Sequence, residues 1–207
     1  MKIKFMLMLA VMALMALPLA ANPIPYPNVG TIAPTNTFTA TSTGTIVGYF
    51  VQGGAASGGG AAYLDKVGMW NVTTSTFSGW QFDNQTTTAG TSANFGAVTA
   101  GDTLEFVLYD YTLSEYFSSN PVNSADGVNH VYETPWGGGL LNGANIPAGV
   151  YLGTEDLPIW NPSDFNYNDD SFVFANVTAT APEPGSLILL ATGLIGGLGA
   201  MRRKLLS

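Results

Sequence analysis

The sequence predicts an all-β protein, an antiparallel β-sandwich or jelly roll, flanked by an N-terminal signal helix and a short C-terminal transmembrane helix. Two observations carry this prediction. Gly, Thr, Ser and Asn are abundant in the middle of the chain, whereas Lys, Glu and Gln are scarce, so no long amphipathic helix can be drawn there. Short segments with strand composition alternate instead with turn residues.

The first 21 residues have the three parts of a secretory signal peptide. Lys2 and Lys4 precede an apolar stretch at 5–17, and small residues follow up to Ala21. We expect export through the Sec machinery and cleavage by signal peptidase after Ala21. A transmembrane anchor is the alternative, although the apolar run is short and ends at Pro18.

Residues 22–181 are predicted to form one exported domain, which is strongly acidic. They contain 13 acidic residues and one lysine, Lys66, and their net charge is −12 when His130 is neutral. Such a surface repels nucleic acid and anionic lipid, and it favours divalent cations. The chain has no cysteine, which excludes disulfides, thiol nucleophiles and thiolate metal sites.

Seven segments of this domain read as strands. The clearest is 103–110, where Leu104, Phe106 and Leu108 share one face. In chain order, the predicted strands are 45–52, 61–70, 79–83, 103–110, 128–133, 149–153 and 171–178. Polar, glycine-rich surface loops are predicted at 53–60, 84–93, 118–127 and 137–147. This number of short strands favours a sandwich or jelly roll.

The most unusual stretch of the domain is the acidic run 153–174. Its side-chain oxygens suggest a calcium site with these candidate ligands: Glu155, Asp156, Asp164, Asn166, Asn168 and Asp169. The match to an EF-hand loop ends at its sixth position, where Asp169 replaces the required glycine. Because side chains two apart on a flat strand are separated by ~6.6 Å, the run must curl to share one ion.

A solvated turn is the alternative interpretation of the acidic run. Asp and Asn are frequent in turns because their side chains bond to the nearby backbone. Both interpretations stay open at this point. His130, the one histidine of the chain, is predicted to be structural rather than catalytic.

Parts of this run resemble a domain of unknown function that is common in bacterial surface proteins. The resemblance rests on Glu155, Asp156 and Leu157, on the polar run 164–169, and on the hydrophobic strand at 172–174. The upstream segment 126–131 is also similar. Asn166 stands where that family usually has aspartate. The resemblance implies β-structure and suggests calcium, but it implies no activity.

The segment 182–207 has the three parts of a sorting tail. A tripeptide, Pro182, Glu183 and Pro184, precedes an apolar segment at 186–201 and a basic stop at Arg202, Arg203 and Lys204. This order resembles the PEP-CTERM sorting signal of Gram-negative bacteria, which implies processing by an exosortase. The uncharged stretch 187–201 spans only ~22 Å as a helix, against ~30 Å of hydrocarbon. We therefore expect a temporary membrane anchor.

These features predict an exported, exosortase-sorted protein of the cell surface or extracellular matrix, without catalytic activity and associated with exopolysaccharide. The alternative is a calcium-dependent carbohydrate-binding module, in which the loop residues Trp136 and Trp160 stack on sugar rings. The other interpretation is that these tryptophans pack in the hydrophobic core or cover it. A hydrolase that uses carboxylates as acid and base is a third hypothesis.

Overall fold

The computed structural model describes residues 23–161 and 163–180, which form two antiparallel sheets packed face to face. The all-β prediction is confirmed. The predicted signal peptide at 1–21 and the sorting tail at 182–207, with its membrane segment at 186–201, lie outside the described residues. Within the described part, no helix is long and apolar enough to cross a membrane.

The strands of the described residues are short and are numbered here in chain order. They are β1 Thr37–Ala40, β2 Gly44–Gln52, β3 Asp65–Asn71, β4 Thr76–Phe77, β5 Phe82–Asp83, β6 Ser92–Val98, β7 Thr103–Asp110, β8 Glu115–Ser118, β9 Val131–Trp136, β10 Gly139–Leu141, β11 Ala144–Ile146, β12 Gly149–Thr154, β13 Asp170–Ala175 and β14 Val177–Thr180. Two 3₁₀ turns lie at Ala55–Ser57 and Pro121–Asn123.

The two sheets have different sizes. The first sheet has the order β14-β1-β7-β3-β4, with β5 also paired to β3 and β8 to β7. The second sheet has the order β6-β2-β13-β12-β9, and β10 and β11 form a separate hairpin. Every pairing is antiparallel in the described residues.

The main core lies between the sheets and is rich in phenylalanine. Phe106 of β7 and Phe174 of β13 meet across it, with ring centroids 4.3 Å apart. Phe82 of β5 stacks on Phe172 of β13, with ring centroids 5.9 Å apart. Burial of each such ring contributes roughly 1.5–3 kcal/mol to the stability of the fold. These contacts therefore supply much of the free energy that holds the two sheets together.

The chain passes from the second sheet to the first at Asn176. This residue has a φ of 64°, a left-handed conformation that asparagine tolerates better than most residues. Its side-chain oxygen accepts a hydrogen bond from the Ser42 amide at 2.8 Å, and its amide donates to the Ser42 carbonyl at 2.9 Å. The segment 171–178, predicted as one strand, is therefore two strands that belong to different sheets.

The strand predictions differ in how well they match the structure. The predicted bounds 103–110 are those of β7. The predicted loop 137–147 is instead the β10–β11 hairpin, which turns at Asn142 and Gly143 with φ angles of 46° and 77°. Asn-Gly with two positive φ angles is typical of a tight hairpin turn. Very short strands were thus the least visible in the sequence.

Candidate functional site

Acidic side chains from both sheets meet at one end of the sandwich, and we call this group the acidic seam. It consists of Asp65, Asp110, Glu155, Asp156, Asp169 and Asp170. The first sheet contributes the first residue of β3 and the last residue of β7. The second sheet contributes the end of β12 and the start of β13.

The register of the first sheet places two of these acids directly opposite each other. Asp65 of β3 pairs with Asp110 of β7. Both face the core, because each lies two residues from a buried apolar side chain, Val67 and Leu108 respectively. Like charges directly opposite each other on one face of a sheet are destabilising. Their pairing therefore requires protonation or a cation.

The second sheet brings the acids of the predicted run to the same place. Asp170 pairs with Thr154 and faces the core two residues before Phe172. Glu155 and Asp156 follow Thr154 directly, and the Asp156 amide donates to Asp169 Oδ2 at 3.0 Å. One oxygen from each of Glu155, Asp156 and Asp169 lies within 4.8 Å of the others. The acidic run thus curls, as a shared ion requires.

Asn84 and Gly53 complete the surroundings of the seam. Asn84 accepts from the Asp65 amide at 2.9 Å and donates to Asp65 Oδ2 at 3.0 Å, which fixes that carboxylate. A methyl group at Gly53 would lie 2.5 Å from Asp170 Oδ1. Glycine at this position therefore lets Asp170 enter the space between the sheets.

The carboxylates of the seam are deeply buried. Asp65, Asp110 and Asp170 are 0% exposed. Several of their oxygens accept no hydrogen bond: Asp65 Oδ1, Asp110 Oδ2, Glu155 Oε2 and both oxygens of Asp170. Buried polar atoms are nearly always paired in folded proteins, and an unpaired buried carboxylate is strongly unfavourable. A cation or bound protons would satisfy these oxygens.

Burial and mutual repulsion raise the pKa values of these groups. Burial first, and then the charges of Asp170 and Asp110, raise the pKa of Asp65 to about 9. Burial and the charge of Asp169 raise the pKa of Asp156 to about 10, and the same two causes raise the pKa of Glu155 to about 8. Without a cation, these carboxyl groups retain protons at neutral pH.

The one lysine of the described residues does not neutralise the seam, and the one histidine is bound to other groups. Lys66 lies on the opposite face of β3, where its Nζ is 3.8 Å from Asp83 Oδ2. His130 is buried, with Nε2 3.0 Å from both Asp126 oxygens and Nδ1 2.8 Å from the Glu155 carbonyl. The Glu155 carbonyl oxygen can only accept, so Nδ1 donates to it. His130 is therefore bound to the Asp126 carboxylate and to the Glu155 backbone, and it holds Glu155 in position.

One side of the seam opens to solvent. A cavity of about 530 Å³ is lined by Asp169, Asn168, Gln52 and Asn142, among other residues. Asp169 is the half-buried member of the seam, whereas its neighbours are enclosed. Asp169 is thus the seam carboxylate that lines this cavity.

The structure divides the predicted calcium ligands into two groups. Glu155, Asp156 and Asp169 lie together in the seam. The other three lie in a turn and bond to one another's backbone: Asp164 Oδ1 accepts from the Asn166 amide at 3.1 Å, and Asn166 Oδ1 accepts from the Asn168 amide at 2.9 Å. The turn interpretation thus describes 164–168, whereas calcium binding by Glu155, Asp156 and Asp169 stays a prediction.

Tyr167 anchors this turn to the rest of the domain. Its hydroxyl donates to the Asn129 carbonyl at 3.0 Å and accepts from the Ala33 amide at 2.8 Å. Its ring packs on Tyr26, with centroids 4.9 Å apart. The backbone of Tyr167 has a φ of 55°, so these contacts also hold an unfavourable conformation.

We expect Tyr167→Phe to destabilise the domain by roughly 1–3 kcal/mol, because it leaves two buried backbone groups without a partner. In thermal unfolding, this corresponds to a melting temperature about 3–10 °C lower than that of the wild type. Tyr111→Phe is the matched control, since Tyr111 is 41% exposed. Equal melting temperatures for the two variants would contradict the anchoring role of Tyr167.

Asp65, Asp110, Asn84 and Asp170 were not among the predicted ligands. One of them, Asp110, could have been recognised from the sequence pattern. The apolar face of 103–110, made by Leu104, Phe106 and Leu108, continues to Asp110 two residues later. An acid in register with a core face is unusual, because charged side chains are almost never fully buried unless they are paired.

The two predicted sugar-stacking tryptophans lie apart. Trp136 is at the end of β9 that pairs with Gly149, and its Nε1 donates to the Ile146 carbonyl at 3.2 Å. Trp160 is 61% exposed in the turn after Pro158, near Asp126 and the opposite end of β9. The structure therefore does not place them in one platform.

Comparison with known protein families matches residues 180–204 to the PEP-CTERM protein-sorting motif. The sorting tail predicted from Pro182, Glu183, Pro184 and the basic stop is thereby confirmed, and the motif implies export and processing by an exosortase. No curated protein and no solved structure matches the chain. The resemblance of the acidic run to a domain of unknown function stays a prediction.

Proposed function

We propose that this chain, which carries a PEP-CTERM sorting motif, is a non-enzymatic surface protein whose β-sandwich binds calcium at the acidic seam. After export and signal-peptide removal, the sorting tail holds it briefly in the cytoplasmic membrane. Exosortase processing then releases it to the cell surface or to the extracellular polysaccharide. The proposal joins the sorting signal to the chemistry of the domain before it.

The observation that carries the calcium proposal is Asp170, which is fully buried with both oxygens unpaired. Calcium takes six to eight oxygen ligands in flexible geometry, whereas magnesium requires near-ideal octahedral geometry and keeps several waters. Carboxylates that converge from strand ends of two sheets are not arranged as a regular octahedron, so they suit calcium better than magnesium. The donors are oxygens, which also disfavours zinc and copper.

Calcium at this position would act as a bridge between the sheets. Asp65 and Asp110 come from the first sheet, and Asp156 and Asp170 come from the second sheet and its following loop. The ion would neutralise the repulsion among them and supply the partner that the unpaired oxygens lack. The main role of the ion is therefore structural.

The burial of the seam also supports the non-enzymatic part of the proposal. A carboxylate that works as a general acid or base must reach the substrate. Asp169 lines the cavity at the seam, while Glu155 and Asp156 are 1% and 2% exposed. A polysaccharide chain would contact one carboxylate there rather than the pair that glycoside hydrolysis needs.

A calcium-dependent carbohydrate-binding module is the second candidate. It is favoured by Trp160, which is 61% exposed and whose neighbour Ile159 donates its amide to Asp126 at 3.0 Å. In that case, calcium would order the loop that presents the tryptophan. Sugar binding would then disappear when calcium is removed.

Calcium binding is tested by thermal unfolding of the full chain, purified in mild detergent. We expect calcium at about 10 mM to raise the melting temperature by about 5–10 °C over that in a chelator, because a ligand at 100 times its Kd, here ~10⁻⁴ M, stabilises by about 2.7 kcal/mol. Magnesium at the same concentration should have a much smaller effect. Identical melting curves with calcium and chelator, and no calcium in elemental analysis of the purified protein, would overturn the proposal.

A further inference from the structure

The outer face of the first sheet carries a row of aromatic side chains, which we call the aromatic face. It consists of Trp70, Phe77, Trp80, Tyr109, Tyr111 and Tyr116. The register places Trp70 opposite Phe77, and Tyr109 opposite Tyr116. These side chains point away from the core, because the adjacent residues Met69 and Leu108 point into it.

The rings of the aromatic face contact one another in sequence. Trp70 and Phe77 have centroids 5.0 Å apart, and Phe77 and Trp80 have centroids 4.9 Å apart. A methyl group at Gly68 would lie 2.6 Å from the Phe77 ring, so the glycine makes room for that ring on the sheet. Trp70 remains 37% exposed and Tyr111 41% exposed. The face is thus an ordered apolar surface that water reaches.

Trp70 also forms one wall of a cavity of about 430 Å³. The cavity is lined by Trp70, Val72, Ser75, Glu105, Tyr116 and Asn123. Its volume lies in the range of about 300–1,000 Å³ that is usual for small-molecule sites. Such sites combine apolar or aromatic walls with a few fixed polar groups, and this cavity has both.

The polar groups of this cavity are held in place. The Asn123 amide donates to both oxygens of Glu105 at 2.9 Å, and Ser118 Oγ also donates to this carboxylate. Trp70 Nε1 donates to the Tyr116 hydroxyl oxygen at 3.1 Å. That bond leaves the hydroxyl hydrogen of Tyr116 available to a ligand.

We propose that this cavity binds a sugar unit of a neutral polysaccharide, with Trp70 as the stacking surface. One face of a pyranose ring presents C–H groups, which pack on an indole ring, while its hydroxyl groups both donate and accept hydrogen bonds. Tyr116 can donate to such a hydroxyl, and the side-chain oxygen of Asn123, whose nitrogen is bound to Glu105, can accept from one. The cavity therefore offers an aromatic surface to the C–H face of the sugar and hydrogen-bonding groups to its hydroxyls.

The charge of the site selects a neutral glycan over an acidic one. Its lining contains a carboxylate, Glu105, and no lysine or arginine. Lys66 is the one lysine of residues 22–181, and it is paired with Asp83 and lies over the Tyr111 ring. A polyuronate would meet a domain of net charge −12 without a cation to bind it.

The position of the cavity also disfavours an extended peptide as the ligand. Trp70, Glu105 and Tyr116 lie on adjacent strands within the sheet, so the ligand would meet side chains on a sheet face. Peptides that add a strand need the free main-chain groups of an edge. A sugar ring, by contrast, requires a flat aromatic surface with polar groups beside it.

This inference deepens the proposed function, on which it rests only for the natural source of the glycan. The cavity lies on the outer face of β3 and β7, whereas Asp65 and Asp110 lie on their core face. The ligand would therefore not touch the calcium. Sugar binding should persist in a chelator at temperatures where the domain stays folded.

The test is retention of the full chain, in mild detergent, on insoluble neutral polymers, followed by titration with linear glucan and mannan hexamers. We expect Trp70→Ala to weaken binding about tenfold or more, because buried aromatic anchors dominate such interfaces. Tyr116→Phe, which removes one hydroxyl, should weaken it severalfold while preserving the fold. Leu140→Ala is the control, because it truncates a similarly exposed apolar side chain on the separate β10–β11 hairpin, and it should bind like the wild type. Trp160→Ala tests the alternative sugar site at the exposed turn.

Three outcomes would overturn the inference: no retention on any neutral polymer, wild-type affinity in both Trp70→Ala and Tyr116→Phe, or stronger binding to a polyuronate than to the neutral hexamers. Loss of binding in Trp160→Ala alone would place the sugar site at the exposed turn instead. The melting temperature with and without calcium is measured on the same samples. A missing calcium effect would count against the seam and leave the sugar result intact.

Discussion

Asp170→Asn is expected to change the stability of the domain in opposite directions with and without calcium. In calcium, the variant should unfold about 5–10 °C below the wild type, because it loses a ligand and with it much of the stabilisation by the ion. In a chelator, it should unfold above the wild type. Thermal unfolding of both proteins under both conditions measures the effect.

The reversal follows from the burial of Asp170. Without an ion, its carboxylate is fully buried and unpaired, and burial raises its pKa well above the ordinary value. A carboxyl group that must take up a proton to fold destabilises by about 1.4 kcal/mol for each pH unit above its unfolded pKa. Asparagine has nearly the same shape and takes up no proton. We therefore expect a gain of at least ~1 kcal/mol in the chelator.

Asp164→Asn is the control for this comparison. It makes the same chemical change six residues earlier in the same acidic run, at an exposed position whose Oδ1 accepts a backbone hydrogen bond. Its stability should stay within ~0.5 kcal/mol of the wild type under both conditions. A loss of the calcium effect in Asp164→Asn, with Asp170→Asn unaffected, would move the ion from the seam to the turn.

The stability of the calcium-free domain should fall as the pH rises from about 4.5 to about 9. Asp65, Glu155 and Asp156 have pKa values raised to about 9, 8 and 10 in the folded state. Between the ordinary pKa and these values, the folded state binds more protons than the unfolded state, so the free energy of unfolding decreases with pH. The contribution of each group is complete below its unfolded pKa and is lost as the pH passes its folded pKa.

Calcium should suppress this decrease. The ion binds the ionised carboxylates, so its affinity rises with pH over the same interval. Denaturant unfolding at several pH values, in chelator and in calcium, measures both slopes. For each proton that only the folded state retains, the slope in chelator is about 1.4 kcal/mol per pH unit. A stability that rises with pH in the chelator would show that the seam is not protonated.

The sequence was sufficient for the fold class and for local features. In β7, strict alternation after a clear turn gave both bounds of the strand. The β10–β11 hairpin was missed, because its strands have three residues each and only the Asn142-Gly143 turn marks it. Strands this short are formed by their neighbours in the structure rather than by their own composition.

About half of the acidic seam could be predicted from the sequence, because only some of its residues are close together in the chain. Glu155, Asp156 and Asp169 lie within one short run, so their proximity in sequence already suggested a shared ion. Asp65 and Asp110 are distant in sequence, and only the register of β3 on β7 brings them together. That register depends on the whole sheet, which no local pattern specifies.

The acidic seam has a consequence for the time at which the chain folds. The two sheets close around carboxylates that repel one another, and calcium is scarce in the cytoplasm but present at up to millimolar levels outside the cell, where calcium modules bind in the range of about 10⁻⁴–10⁻³ M. Without calcium, a precursor still in the cytoplasm would lack the ~2.7 kcal/mol that the ion contributes, and it would unfold more readily for passage through a translocation channel. The sandwich would then reach its full stability only after export, when it binds calcium in the outer compartment.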